Sequence, residues 1–98
     1  MKVEKVCEDG KLTVKVEGKI DTVTAPQFAA ELQVDGVKDV VVDLAAVEYV
    51  SSAGLRVFLN VQKALLPAGG QLSVAGANES VRRVFTITGF ARIIKFVD

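Results

Sequence analysis

The stretch "VVVDLAAVEYVSSAGLRVFL", residues 40–59, changes its hydrophobic period halfway along. Its first part, "VVVDL", is a continuous run of β-branched and apolar residues, which predicts a central strand covered on both faces. Its last part has apolar residues at helical spacing, predicting a helix of about thirteen residues that Pro67 ends. Two serines, an alanine and a glycine lie at the junction, so a strand delivers the chain into a helix start built from small residues.

Reading outward, residues 2–7 and 11–17 alternate apolar with polar and predict two strands, joined by a hairpin turn at "EDGK" in which Gly10 takes positive φ. In "TAPQF", Thr24 is the expected helix cap, Gln27 the second half of a capping box, and Pro26 a first-turn residue. Ala25, Phe28, Ala29 and Leu32 share one helical face, and "DGVKD" breaks that helix. Beyond Pro67, "QLSVAG" predicts a strand. "NESVRRVFTITG" predicts a helix capped by Asn78, with Glu79 in its first turn, Val81, Val84 and Phe85 inward and Gly89 past its end, and "RIIKFV" predicts a last strand. The fold class is therefore α/β: one domain over residues 1–98, with a mixed, mostly parallel sheet of about five strands, three helices and an N-terminal antiparallel hairpin.

Composition excludes several function classes. Twelve basic and twelve acidic side chains give no net charge, so direct nucleic-acid binding is not expected. The chain has no histidine, which eliminates Ser-His-Asp and Cys-His catalysis and the usual zinc constellations. A Ser-Lys nucleophile would need a lysine in a dry pocket, whereas Lys63 falls on a polar strip about three turns beyond the serines. Neither phosphate-cradling glycine motif is present, and "VAGANES" reads as an ordinary βα connection. Glu8 and Asp9 read as turn formers. The lone Cys7, in an apolar strand, is expected to be a buried thiol in a reducing compartment. With neither a signal-peptide pattern nor a long apolar run, a cytoplasmic chain without membrane insertion, cofactor or metal is expected.

Advancing about 100° per residue from Leu55 places Phe58, Leu59, Val61, Leu65 and Leu66 on one broad face, with Val57 and Ala64 at a margin and Gln62 the one polar residue among them. Arg56, Asn60 and Lys63 form a narrow polar strip. One turn back, Ser52 falls beside that strip, four residues before Arg56, and Ser51 falls toward the apolar side. Ser51 is thus the expected N-cap. Ser52 is the outward first helical residue, with little bulk behind it at Ala53 and Gly54, so that a partner could approach closely. A phosphate on Ser52 would be favoured by the helix N-terminus and Arg56, yet would be a buried charge against an apolar partner. On geometry alone, serines before a helix are more often caps than modification sites.

Residues 18–96 resemble a STAS domain, the fold of bacterial anti-sigma factor antagonists. The segments that carry the resemblance are "GKIDTVTAPQF", "VVVDLAAVEYVSSAGLRVFL" and "LSVAGANESVRRVFTITGFARII", in family order. The resemblance implies an adaptor, not an enzyme. It binds an anti-sigma factor that is also a serine kinase, is released when the serine at the helix start is phosphorylated, and is restored by a serine phosphatase. The matching acceptor is Ser52, and Asp21, Thr24, Ser51, Ala53, Gly54 and Arg56 would accompany it in the partner-binding surface. Three features depart from the pattern: Ser51 stands where the family usually has aspartate, the segment before "VVVDL" is short, and the sequence ends at Asp98 without the last helix of many members. A rival STAS role is an accessory subunit bound to the ATPase of a lipid-transporting ABC complex. A third class, a small nucleotide hydrolase, would require turnover without histidine or phosphate loops.

Overall fold

Residues 1–32 and 36–97 are described in the computed structural model. Strands β1 (Lys2–Glu8) and β2 (Lys11–Ile20) are followed by α1 (Ala25–Glu31), β3 (Asp39–Val50), α2 (Ser52–Leu65), β4 (Gln71–Ala75), α3 (Glu79–Ile87) and β5 (Lys95–Val97). Short 3₁₀ turns at Leu66–Ala68 and Phe90–Arg92 follow α2 and α3. The β1–β2 turn has positive φ at both Asp9 (50°) and Gly10 (77°), the backbone that matches hairpin twist. Asp35, within the expected helix break, lies outside the described residues; Gly36 beside it has φ of 74°.

The strands lie in the order β1-β2-β3-β4-β5, antiparallel only between β1 and β2. Every crossover after β2 therefore steps one strand in the same direction. Right-handed crossovers that all step the same way put their helices on the same face of the sheet. The packing agrees: Phe28 of α1, Phe58 of α2, Phe85 of α3 and Phe96 of β5 form a continuous aromatic row with ring centroids 5.2, 5.3 and 5.5 Å apart. Val14, Val40, Val42, Leu44, Leu72 and Val74 belong to the same core, each fully buried.

That topology corrects the expectation that β3 is covered on both faces. Val40, Val42 and Leu44 are buried beneath the helices, whereas Val41 and Asp43 on the opposite face are half-buried. The unbroken apolar run reflects the strand preference of valine, not a second helical layer. Cys7 is likewise exposed, not buried. It pairs with Leu12 on β1, which has a neighbour on one side only.

Smaller differences have local causes. The capping box at α1 does not form: Thr24 makes no side-chain cap bond, and the Gln27 amide donates to the Met1 carbonyl at 3.4 Å. Ala29 is exposed although it falls on the apolar side of the short α1. Leu66 is 59% exposed because the 3₁₀ turn carries it off the helical stripe. Gln62 is buried, as its place on the wheel implies, and its Oε1 accepts from the Leu72 N–H at 3.1 Å. The last strand begins at Lys95, since Arg92 ends a 3₁₀ turn and Ile94 N–H bonds back to the Phe90 carbonyl at 2.9 Å.

Candidate partner-binding site

Parallel pairing brings the C-terminal ends of β2 and β3 side by side, with Ile20 opposite Val50. Their outgoing segments, Asp21–Thr24 and Ser51–Ser52, must then leave the sheet as neighbours, at the edge where open α/β sheets commonly place their sites. The Ser51 N–H locks the two together by donating to the Ile20 carbonyl at 2.8 Å.

Ser51 is extended (φ −87°, ψ 174°), and its hydroxyl oxygen accepts from the Gly54 N–H at 3.3 Å, so it is the N-cap as expected. Ser52 is the first residue of α2 and is exposed, as is Arg56 one turn along, with Ala53 half-buried between them. These three residues line a shallow depression of about 310 Å³. Helical phase therefore separates the two hydroxyls: one holds the backbone and the other faces solvent beside a guanidinium.

Gly54 corrects the sequence reading. It is buried and faces inward, so its small size does not open a surface to a partner. A Cβ there would sit 2.6 Å from Ile20 Cγ2, 3.0 Å from Val50 Cγ1 and 3.2 Å from the Ile20 carbonyl oxygen. The glycine lets the first turn of α2 close onto the end of β2.

Asp21 and Thr24 meet, but principally each other. Asp21 Oδ1 accepts from the Val23 N–H at 3.0 Å and the Thr24 N–H at 3.0 Å. Thr24 Oγ1 accepts from the Asp21 N–H at 2.9 Å and lies 2.8 Å from the Lys19 carbonyl and 3.2 Å from Asp21 Oδ1, either of which can accept its proton. The Thr24 N–H holds the Asp21 carboxyl below its ordinary pKa; desolvation opposes it, and the Thr24 hydroxyl, the Val23 N–H and the charge of Lys19 add to the lowering. Sequence reasoning missed Val23, which stands 84% exposed on this turn. The available signal was an apolar residue inside an otherwise polar "DTVT" turn.

Among the described residues no group of three or more histidine, cysteine, aspartate or glutamate side chains could hold a metal, and no helix is long and apolar enough to cross a membrane. The fold and this edge define a small mixed α/β domain that presents a rigid loop and a hydroxyl-bearing helix start on one surface. The chain belongs to the STAS domain family, which matches residues 2–98. It is 44% identical over 88 residues to BtrV of Bordetella bronchiseptica, provisionally named an anti-sigma factor antagonist, covering 87% of this chain and 76% of that protein. It is 36% identical over 92 residues to the anti-sigma-B factor antagonist of Staphylococcus epidermidis, covering 91% and 85%. The crystal structure of a Thermotoga maritima protein, also provisionally named an anti-sigma factor antagonist, superposes with a TM-score of 0.89 at 25% identity, covering 98% of this chain and 86% of that one.

Proposed function

We propose that this chain is an anti-sigma factor antagonist working by partner switching. In its unmodified form it binds an anti-sigma factor that is also a serine kinase and so frees the sigma factor. Phosphorylation of Ser52 ends that complex, and a serine phosphatase restores it. The names of the relatives support the antagonist role. The observation that carries the switch is the division of labour at the helix start, where Ser51 is committed to capping and Ser52 is exposed beside Arg56.

A phosphate on Ser52 would add roughly −1.5 to −2 charge at the positive end of a helix, which the fold tolerates. In a closed interface the same group would be a desolvated anion. A loss of about 3 kcal/mol corresponds to roughly a hundredfold in affinity. The test is incubation of the wild-type chain, Ser52→Ala and Ser51→Ala with the kinase and ATP. Label is expected on wild type and Ser51→Ala, and Ser52→Asp is expected to weaken the complex about a hundredfold. Labelling that persists undiminished in Ser52→Ala would overturn the assignment.

A further inference from the structure

We infer that Val23 is the apolar anchor by which the anti-sigma factor grips this chain, and that Asp21 and Thr24 are positioning residues that hold the anchor in place. This rests on the partner-binding role proposed above and reassigns the work within that surface. Val23 is 84% exposed, the largest exposure among the large hydrophobic side chains so described, which include Val6 on the edge strand and Leu66 in a 3₁₀ turn. An exposed valine gains nothing from water, and here it does not pack into the fold either.

Its backbone is nonetheless fixed. The Val23 N–H is held by Asp21 Oδ1 at 3.0 Å, and Asp21 and Thr24, which bracket it in the turn, are bonded to each other, with the Thr24 hydroxyl 2.8 Å from the Lys19 carbonyl. Asp21 Oδ1 already accepts from two N–H groups at 3.0 Å, with the Thr24 hydroxyl at 3.2 Å, so its place in the loop is accounted for by internal bonds. A rigid mount carrying an apolar tip loses little conformational entropy when a partner closes on it. The mount also lies beside the switch. Ile20, whose carbonyl accepts from the Ser51 N–H, is three residues before Val23, a reach of about 10 Å even for extended chain. An ordinary interface of about 800 Å² per partner spans both Val23 and Ser52. The partner should therefore offer an apolar pocket near the place that receives the Ser52 hydroxyl. A phosphate arriving there would be desolvated with no counter-charge from that pocket.

The test titrates Val23→Ala, Val23→Asp, Asp21→Ala, Asp21→Asn and Ser52→Asp against the purified serine-kinase anti-sigma factor that labels Ser52, with thermal melts of each variant. Val23→Ala should weaken binding about tenfold, as expected for the loss of two buried methyl-sized groups, and Val23→Asp about a hundredfold or more. Neither should shift the melt. In the phosphorylation assay Val23→Ala should raise KM and leave kcat unchanged, since the anchor touches neither Ser52 nor ATP. Asp21→Ala should weaken binding about as much as Val23→Ala. Asp21→Asn, which keeps an Oδ1 acceptor for the two N–H groups, should recover most of the loss. Wild-type affinity in Val23→Asp alongside a weakened Ser52→Asp would overturn the anchor and leave the switch standing. Equal losses in Asp21→Ala and Asp21→Asn would overturn the positioning role of Asp21. Failure of the wild-type chain to bind any kinase that labels it would overturn both readings together.

Discussion

Gly54→Ala sets two opposing effects of known size against each other. An alanine in a helix is favoured over glycine by up to about 1 kcal/mol, so propensity alone predicts stabilisation. The new Cβ, however, would sit 2.6 Å from Ile20 Cγ2 and 3.0 Å from Val50 Cγ1. Both neighbours are β-branched and buried, Ile20 at 0% and Val50 at 1% exposure, so neither can swing its methyl group into free space. Overpacking of this kind costs about 1–3 kcal/mol. The carbonyl of Ile20 at 3.2 Å blocks the remaining direction, which puts the estimate toward the upper half of that range. After the propensity gain the net loss is about 1–2 kcal/mol, or roughly 5–15 °C in Tm for a chain of this size. Urea and thermal unfolding of Gly54→Ala should show this loss, while Asn60→Ala on the exposed face of α2 should stay within about 0.5 kcal/mol of wild type. In an Ile20→Ala background the cost should largely vanish, a coupling of about 1–2 kcal/mol. A stabilised Gly54→Ala, or one equally costly in both backgrounds, would refute the claim that this glycine exists to seat α2 on Ile20.

Three further expectations follow from the same geometry. Ser51→Ala should cost about 0.5–1 kcal/mol, the low end for an N-cap because its bond is 3.3 Å long, whereas Ser52→Ala should leave the urea midpoint unchanged. Asn78→Ala should cost more, about 2 kcal/mol by chemical denaturation, since Asn78 accepts from the Val81 N–H at 2.8 Å and also donates to the Val47 carbonyl at 3.1 Å. For Asp21, whose folded pKa is depressed by the Thr24 N–H, any contribution to stability is present above its unfolded pKa and disappears as pH falls through the folded value. Carboxyl titration by NMR should give a midpoint below that of an ordinary aspartate, and Thr24→Val, which removes the hydroxyl contribution, should move the midpoint upward. An unchanged midpoint in Thr24→Val would refute the hydroxyl's share of the shift, and a wild-type midpoint at the ordinary aspartate value would refute the shift itself.

What the sequence makes legible here is local, and what it hides depends on strand order or on distant contacts. The apolar stripe of α2 fixes its phase, and once the phase is fixed Ser51 and Ser52 cannot point the same way. That is why the sequence alone tells the cap from the outward hydroxyl. The same wheel could place Gly54 on the helix but not name its neighbour, because Ile20 is thirty-four residues earlier and meets it only through parallel pairing of β2 with β3. Periodicity also says nothing about whether successive crossovers step in one direction or reverse. The apolar run of β3 therefore read as covered on both faces when one suffices. At α1 two local signals compete: Thr24 and Gln27 spell a capping box, but Asp21, three residues before Thr24, captures the Thr24 N–H that Gln27 would bond, and the Val23 N–H with it. A carboxylate is the stronger acceptor for backbone N–H groups, so the turn closes around Asp21 and Thr24 turns its hydroxyl toward the Asp21 N–H and the Lys19 carbonyl. Val23 gives its N–H to that turn while its side chain stays outside the fold. Its exposure is thus the consequence of a well-satisfied turn rather than of a loose one, and that distinction is the ground on which we propose it as an anchor for a partner.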